Sequence, residues 1–128
     1  MAKKILQIVD SAYRGTLEEQ DDTVVWLCHM MKGAGADLDV LLTGNAVNYA
    51  VKGQDASGLS FGQRRQTQPP RLDDDLAKLI AKQVEVHVVA DDLAERGLET
   101  SHLIPGLKMV PRAKVAGMFA SYDQVWRW

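Results

Sequence analysis

Cysteine is almost absent from this sequence of 128 residues, which contains one, Cys28. A single thiol excludes an intramolecular disulfide and a zinc site built from several cysteines. An excess of basic charge is absent as well, because 15 Lys and Arg stand against 17 Asp and Glu and the net charge is -2. The composition therefore does not favour nucleic acid or an anionic membrane as a partner.

Long apolar runs are also missing. Met1-Ala2-Lys3-Lys4 is followed by only about five apolar-rich residues, too few for the core of a signal peptide or for a membrane span. We therefore expect a cytoplasmic protein without a membrane segment. With 46% hydrophobic and 25% charged residues, the chain is expected to form a single domain over 1–128 around one core.

Short β-branched runs alternate along the chain with segments of helical periodicity. Strands are predicted over 5–9, 37–43, 84–90, 107–110 and 124–128, and helices over 17–32, 46–51, 72–80, 93–96 and 111–122. Thr16 and Glu19 have the spacing of a capping box at the start of the first helix. The alternation predicts an α/β three-layer sandwich, in which about five mainly parallel strands are flanked by helices.

One segment, 54–71, lacks this periodicity and is rich in Gly, Gln, Ser and Pro. It is predicted to be a mobile loop, and loops of this length in a compact domain are often functional. Arg64, Arg65 and Arg71 within it are candidates for holding an anion, although solvated loop arginines are the simpler interpretation.

Polar residues follow four of the predicted strands. In open parallel sheets, ligands bind outside the carboxyl ends of the strands. The candidates by position are Asp10, Ser11, Tyr13, Arg14, Gly44, Asn45, Asp91, Asp92 and Arg112. Asp91 and Asp92 have the chemistry of a general acid and base, but we expect one of them to cap the short helix that follows.

Several familiar sites are not supported by the spacing of residues. The loop DSAYRGTLEE lacks a P-loop and a GxGxxG fingerprint. The three histidines lack the i, i+4 spacing of a metal pair, and Asp73, Asp74 and Asp75 fit the first turn of a helix. Cys28 lies on the apolar stripe of the first helix, where an inert buried thiol is expected. We expect neither a metal nor another cofactor.

Two stretches carry a resemblance to a known family. LLTGNAVNYAVKGQ and VEVHVVADDLAERGLETSHLIPGLKMVP, together with the order of the strands, resemble the DsrE/DsrF-like group, which includes the Tus sulfur-relay subunits. The similarity covers nearly the whole chain apart from the loop. It implies a flavodoxin-like domain that assembles into homo-oligomers (trimers or hexamers) or into hetero-oligomers with DsrE-like subunits, with a sulfur-carrier protein as a further partner.

The resemblance also implies a cysteine near the end of the third long strand that carries sulfur as a persulfide. Counted back from Gly97, that position falls at about Val89, which cannot carry sulfur. Asp91 and Asp92 would raise the pKa of any thiol placed there. The sequence is therefore similar to the non-catalytic subunits of the group, which lack the cysteine and keep the fold.

Three functional hypotheses follow. The first is a non-catalytic binding or assembly subunit linked to intracellular sulfur metabolism, with Trp26, Met30 and the terminal VWRW segment as interface residues. The second is an active sulfur carrier through Cys28. The third is a small-ligand or nucleotide binder that uses the strand-end cleft.

Overall fold

The computed structural model describes residues 3–13 and 22–128 of the chain. The strands in this part are β1 (Lys4–Val9), β2 (Asp37–Leu42), β3 (Ser60–Phe61), β4 (Arg64–Arg65), β5 (Val86–Val89), β6 (Lys108–Val110) and β7 (Gln124–Arg127). The α-helices are α1 (Thr23–Gly33), α2 (Leu72–Ala81), α3 (Ala90–Glu95) and α4 (Arg112–Met118). Short 3₁₀ helices cover Gly44–Ala50, Thr100–His102 and Phe119–Ser121.

Five of the strands form one sheet in the order β6-β5-β2-β1-β7, and every neighbouring pair is parallel. The chain moves outward from β1 to β6 and then returns to place β7 on the other side of β1. The direction of winding therefore reverses between β1 and β7, which is where parallel sheets open a crevice at the carboxyl ends of their strands.

The two faces of the sheet bury separate apolar clusters. Because side chains of a strand alternate between faces, Val40 of β2 points to the α1 and α2 face, while Leu41 points to the α4 face. Helices cover both faces, and the predicted α/β sandwich with a parallel sheet of five strands is confirmed.

Helix α1 begins later than the sequence pattern predicts. Asp22 is its N-cap, and its Oδ1 accepts hydrogen bonds from the backbone N–H of Val24 (2.8 Å) and of Val25 (3.3 Å). The buried carboxylate also accepts a hydrogen bond from the Tyr49 hydroxyl at 2.6 Å, a contact between distant segments that the local pattern does not contain. The predicted start at residue 17 is therefore wrong, and the capping box at 16–19 lies outside the described residues.

The predicted loop at 54–71 contains secondary structure of its own. Strands β3 and β4 pair antiparallel as a hairpin, with Phe61 opposite Arg64. Gly62, at φ +62°, takes the first central position of the turn, where a left-handed backbone conformation favours glycine. Both strands are exposed, so the hairpin adds little to the core.

Other boundaries shift by a few residues. Strand β5 begins at Val86 rather than at 84, and α3 already begins at Ala90. The helix after β2 is of the 3₁₀ type, and Pro111 occupies the N-cap of α4 rather than its first turn. Among the described residues, no helix combines the length and the apolar character that crossing a membrane would require.

Candidate functional site

A cavity of about 520 Å³ opens at the carboxyl ends of β1, β2 and β5, next to β7 and α4. We call it the strand-end cavity. Its apolar wall consists of Ile8, Leu41, Val89, Val115, Phe119 and Val125. Its polar rim consists of Asp10, Thr43, Gly44, Asp92, Arg112 and Arg127.

Asp10, the first rim residue, follows directly from the end of β1. Its Oδ1 accepts a hydrogen bond from the Thr43 hydroxyl at 2.8 Å, and its Oδ2 accepts one from Nη2 of Arg127 at 3.1 Å. Gly44 packs against the same carboxylate so closely that a Cβ atom there would lie 2.7 Å from Oδ1 of Asp10. With its φ of +53°, position 44 accepts only glycine without strain.

Asp92 links the two halves of the rim. Its Oδ2 accepts a hydrogen bond from the backbone N–H of Gly44 at 2.7 Å, and its Oδ1 accepts one from Nη2 of Arg112. Burial alone raises the pKa of this carboxyl, but the Gly44 N–H and the Arg112 guanidinium outweigh burial, so the pKa lies below its usual value. Asp92 is therefore ionised at neutral pH, and Arg112 also contacts Glu95 at 2.8 Å.

The predicted capping role of Asp91 or Asp92 is wrong. The N-cap of α3 is Val89, and no side chain caps this helix. Instead, Oδ1 of Asp91 accepts a hydrogen bond from the backbone N–H of Arg112 at 2.8 Å. Both acids lie inside the first turn of α3 and reach across to other segments, because the strand passes into the helix without an intervening loop.

Val89 lies at about the position to which the family resemblance assigns a cysteine. Its exposed fraction is 2%, and it packs on the α4 face with Leu6, Ile8 and Leu41. The innermost wall of the strand-end cavity is therefore apolar and carries no nucleophile.

Other predicted candidates lie away from this cavity. The side-chain oxygen of Asn45 is held by Arg96, at 2.8 Å from Nη2. The Tyr13 hydroxyl donates to Gln54 at 2.9 Å, and its ring meets the Tyr49 ring edge-on at 5.2 Å between centroids. Ser11 is exposed next to β1, and Arg14 lies outside the described residues. The structure thus brings together Asp10, Gly44, Val89, Asp92 and Arg112, but not Asn45 or Tyr13.

Two of the loop arginines share a second cavity of about 520 Å³. Arg64 and Arg65 line it with Phe61 and Thr67, on the exposed hairpin. Arg71 is not among its lining residues and lies at the N-cap of α2. There its charge contributes, after hydrogen bonds from Ser57, to a lowered pKa of Asp55. The three arginines therefore do not form one anion site.

Thr43 and Arg127 are rim residues that the sequence pattern did not single out. Arg127 lies on the last strand, and only the parallel pairing of β7 with β1, which sets Ile8 opposite Arg127, brings it to Asp10. Thr43 is the residue directly after β2, so the rule that ligands bind beyond strand ends would have found it.

Cys28 is separated from the strand-end cavity by the sheet. Its exposed fraction is 1%, and it belongs to the cluster on the α1 face. Burial, with a further contribution from the negative charge of Asp22, raises the pKa of the Cys28 thiol to about 12. At neutral pH the sulfur is a buried neutral thiol and not a nucleophile.

One group among the described residues has the donor atoms for a metal ion. Oxygen and nitrogen atoms of Asp39, Glu85 and His87 lie within 4.8 Å of one another. Each acid already has a partner, because the Tyr122 hydroxyl donates to Asp39 at 2.7 Å and Lys108 pairs with Glu85 at 2.6 Å. The Lys108 hydrogen bond keeps the pKa of Glu85 below its usual value. These contacts favour an internally neutralised polar network.

The fold can be compared with known proteins. No protein-family model and no curated protein matches the sequence. The crystal structure of the YchN protein from E. coli matches with a TM-score of 0.73 and 22% identity, over 98% of this chain and 99% of that chain. The protein MTH1491 of unknown function, from Methanobacterium thermoautotrophicum, matches with a TM-score of 0.63 and 11% identity, also over 98% and 99%. At these identities the likeness establishes the fold, and the predicted DsrE-like α/β sandwich, the fold of YchN, is confirmed.

Proposed function

We propose that this chain is a non-catalytic DsrE-like subunit that acts by binding or assembly in sulfur metabolism or sulfur relay in the cytoplasm. The observation that carries the proposal is the end of β5. The position where the resemblance implies a persulfide cysteine is occupied by Val89, with an exposed fraction of 2%. A buried branched alkyl group can neither accept nor release sulfur.

The charges next to Val89 support the same conclusion. A thiolate at a strand end needs a free cation or hydrogen-bond donor to lower its pKa. Here the Gly44 N–H and Nη2 of Arg112 are both engaged by Asp92. These two donors therefore hold an ionised carboxylate and do not stabilise a thiolate.

Cys28 does not replace the missing residue. It has an exposed fraction of 1%, lies on the opposite face of the sheet, and has a pKa raised to about 12. Sulfur transfer through Cys28 would require the α1 face of the core to open, because a persulfide donor must reach the sulfur atom.

Exposed apolar side chains support a role in assembly. Trp26 and Met30 on α1 are 48% and 49% exposed, and Trp126 and Trp128 at the end of the chain are 37% and 40% exposed. Large aromatic side chains of this exposure are enriched at protein interfaces. We propose a single-domain subunit of a homo-oligomer, a trimer or hexamer, or of a hetero-oligomer with DsrE-like subunits, and a sulfur-carrier protein as a further partner.

The non-catalytic role is tested by incubating the native protein with a persulfide donor and measuring the intact mass. We expect no added sulfur on the wild type or on Cys28→Ser. Val89→Cys serves as the comparison, because it puts a thiol at the implied position without altering Cys28. Stable addition of sulfur to wild-type Cys28 under native conditions would refute the proposal.

Assembly is tested separately by light scattering. The double substitution of Trp26 and Met30 by Ser should lower the oligomeric mass if this surface is an interface. Arg64→Ser and Arg65→Ser form the control, since these side chains are also exposed and lie on the hairpin. A wild-type protein that remains a monomer at micromolar concentration, and that captures neither DsrE-like subunits nor a sulfur-carrier protein, would contradict the assembly role.

A further inference from the structure

The strand-end cavity combines an apolar interior with hydrogen-bond donors at its edge. Ile8 and Leu41 form its inner wall and are 7% and 0% exposed, whereas Val125 at its mouth is 39% exposed. Water inside such a wall finds few hydrogen-bond partners, so replacing it with an apolar group is favourable. A volume of about 520 Å³ is within the range of pockets that enclose small molecules.

The polar rim has an unequal supply of donors and acceptors. Both oxygens of Asp10 and both oxygens of Asp92 accept hydrogen bonds within the protein. Arg127 uses only Nη2 toward Asp10, and the Arg112 side chain uses only Nη2 toward its two carboxylates. Among the described residues, Nε and Nη1 of both arginines have no protein partner. The rim therefore offers N–H donors, which suit an acceptor on the ligand.

The net charge of the rim limits the charge of that acceptor. Three carboxylates, on Asp10, Asp92 and Glu95, are paired with three guanidinium groups, those of Arg127, Arg112 and Arg96. These pairs leave no excess positive charge to balance a dianion or a polyphosphate. A single carboxylate matches the planar arrangement of a guanidinium edge and adds only one charge.

We propose that the strand-end cavity binds a small molecule with an apolar body and one carboxylate head. The apolar body lies against Ile8, Leu41 and Val89, and the head receives hydrogen bonds from the free N–H groups of Arg127 and Arg112. This site is distinct from sulfur chemistry, because it needs no nucleophile. The proposal stands on the cavity alone, so it can fail or hold independently of the role in sulfur relay.

The test is an NMR titration of the ¹⁵N-labelled full chain with octanoate. Octan-1-ol supplies the same apolar body without the charge, and inorganic sulfate supplies a charged head without the body. We expect octanoate to bind with a Kd of about 1 mM or tighter and to shift the amide signals at the ends of β1, β2 and β5. Octan-1-ol should bind about tenfold more weakly, and sulfate should not shift these signals.

Two substitutions test the contacts of the carboxylate head and of the apolar body separately. Arg127→Gln removes the charge of a 71% exposed side chain and should weaken octanoate binding about tenfold, with little effect on octan-1-ol. Val125→Trp fills the mouth of the cavity and should abolish the binding of both. Arg64→Gln is the control, because Arg64 lines the other cavity, and it should leave the octanoate Kd within about twofold.

Several outcomes would overturn the proposal. The first is an absence of shifts at the strand ends up to about 10 mM octanoate. The second is equal octanoate binding by the wild type and Arg127→Gln, which would assign the head to other groups. A third is sulfate binding as tight as octanoate binding, which would show that the site binds anions without any contribution from the apolar body. If Val125→Trp does not fold, as checked by circular dichroism, Arg127→Gln and octan-1-ol decide the question.

Discussion

The face of the sheet under α1 and α2 and the face under α4 differ in how much apolar surface they bury. Among the described residues, the cluster under α1 and α2 contains twenty buried residues, and the cluster under α4 contains four. Helix α4 itself has no buried residue. The first face is therefore the main source of stability, while the second is thin enough to leave a cavity at the strand ends.

The two faces also differ in the fate of their reactive groups. The α1 face buries Cys28 so completely that its thiol stays protonated at neutral pH and does not act as a nucleophile. The α4 side keeps Arg112 accessible at the edge of the cavity, where the buried carboxylate of Asp92 holds its guanidinium in place. In this molecule the tightly packed face preserves the fold, and the loosely covered face retains polar groups that can contact a ligand.

Truncation of a core side chain on each face should give the largest difference. Leu76→Ala, at a position with 0% exposure under α2, is expected to lower the free energy of unfolding by about 2 to 5 kcal/mol. Val115→Ala, on a half-buried position of α4, should cost less than about 1 kcal/mol, since its site can collapse. Urea denaturation of both variants measures the difference, and equal losses would show that the faces contribute alike.

Asp92→Asn should have the next largest effect. It weakens the charge-assisted bonds to the Gly44 N–H and to Arg112, so we expect a loss of about 1 to 3 kcal/mol in the free energy of unfolding. The matched control is Asp91→Asn, which removes the charge of an exposed neighbour that accepts one backbone N–H. If both variants have the same stability, the Asp92 contacts do not stabilise the rim.

Acid should reveal the same contacts in the wild type. The folded-state pKa of Asp92 is lowered relative to the unfolded chain, so its contribution to stability is present above a pH of about 4. The contribution is lost as the pH falls through the folded-state pKa, because the carboxyl must then take up a proton. The free energy of unfolding of Asp92→Asn should consequently depend less on pH below about 4 than that of the wild type.

Cys28 should produce a smaller effect at the opposite end of the pH scale. Its pKa is raised from 9.0 to about 12, so the unfolded chain releases a proton above a pH of about 9 and the folded chain does not. The free energy of unfolding should fall by about 1 kcal/mol between pH 8 and pH 10, and Cys28→Ala should lack this loss. Reaction with a thiol reagent at pH 8 should also require unfolding, and rapid labelling of the native protein would contradict the burial of Cys28.

The smallest effect is expected from the hairpin, which belongs to neither face. Replacement of residues 59–66 by a short Gly-Ser linker should change the free energy of unfolding by less than about 1 kcal/mol, because β3 and β4 are exposed. Thermal unfolding of the shortened protein gives the measurement. A large loss of stability would mean that the hairpin supports one of the two faces.

Local sequence patterns predicted the strands well and the helix starts less well. Alternation of short apolar runs with helical stripes identified all five strands of the sheet. The signal is clearest for β1, β2 and β5, because inner strands that are buried on both faces leave a nearly continuous apolar run. The predicted start of α1 was wrong because Asp22 caps the helix. The contact of Asp22 with Tyr49 is long-range, and no local pattern contains it.

The site was predicted only in part for the same physical reason. Asp10, Asp92 and Arg112 were correctly placed near one another, because strand order alone brings the ends of β1, β5 and β6 to one edge. Arg127 was not identified, since its position depends on the return of β7 to the side of β1. The expected helix cap at Asp91 or Asp92 was wrong, because partners on other segments compete for these carboxylates.

The sequence by itself determined the α/β class and the parallel sheet, because apolar periodicity and burial follow from the order of residues along the chain. It also determined that Val89 is no sulfur carrier, since this depends only on the chemistry of the side chain. Only the tertiary structure decided that Cys28 is sealed beneath α1, that Asp92 spans Gly44 and Arg112, and that a cavity remains under α4. Accessibility, pairing and empty space depend on which distant segments pack together, and no local pattern specifies that.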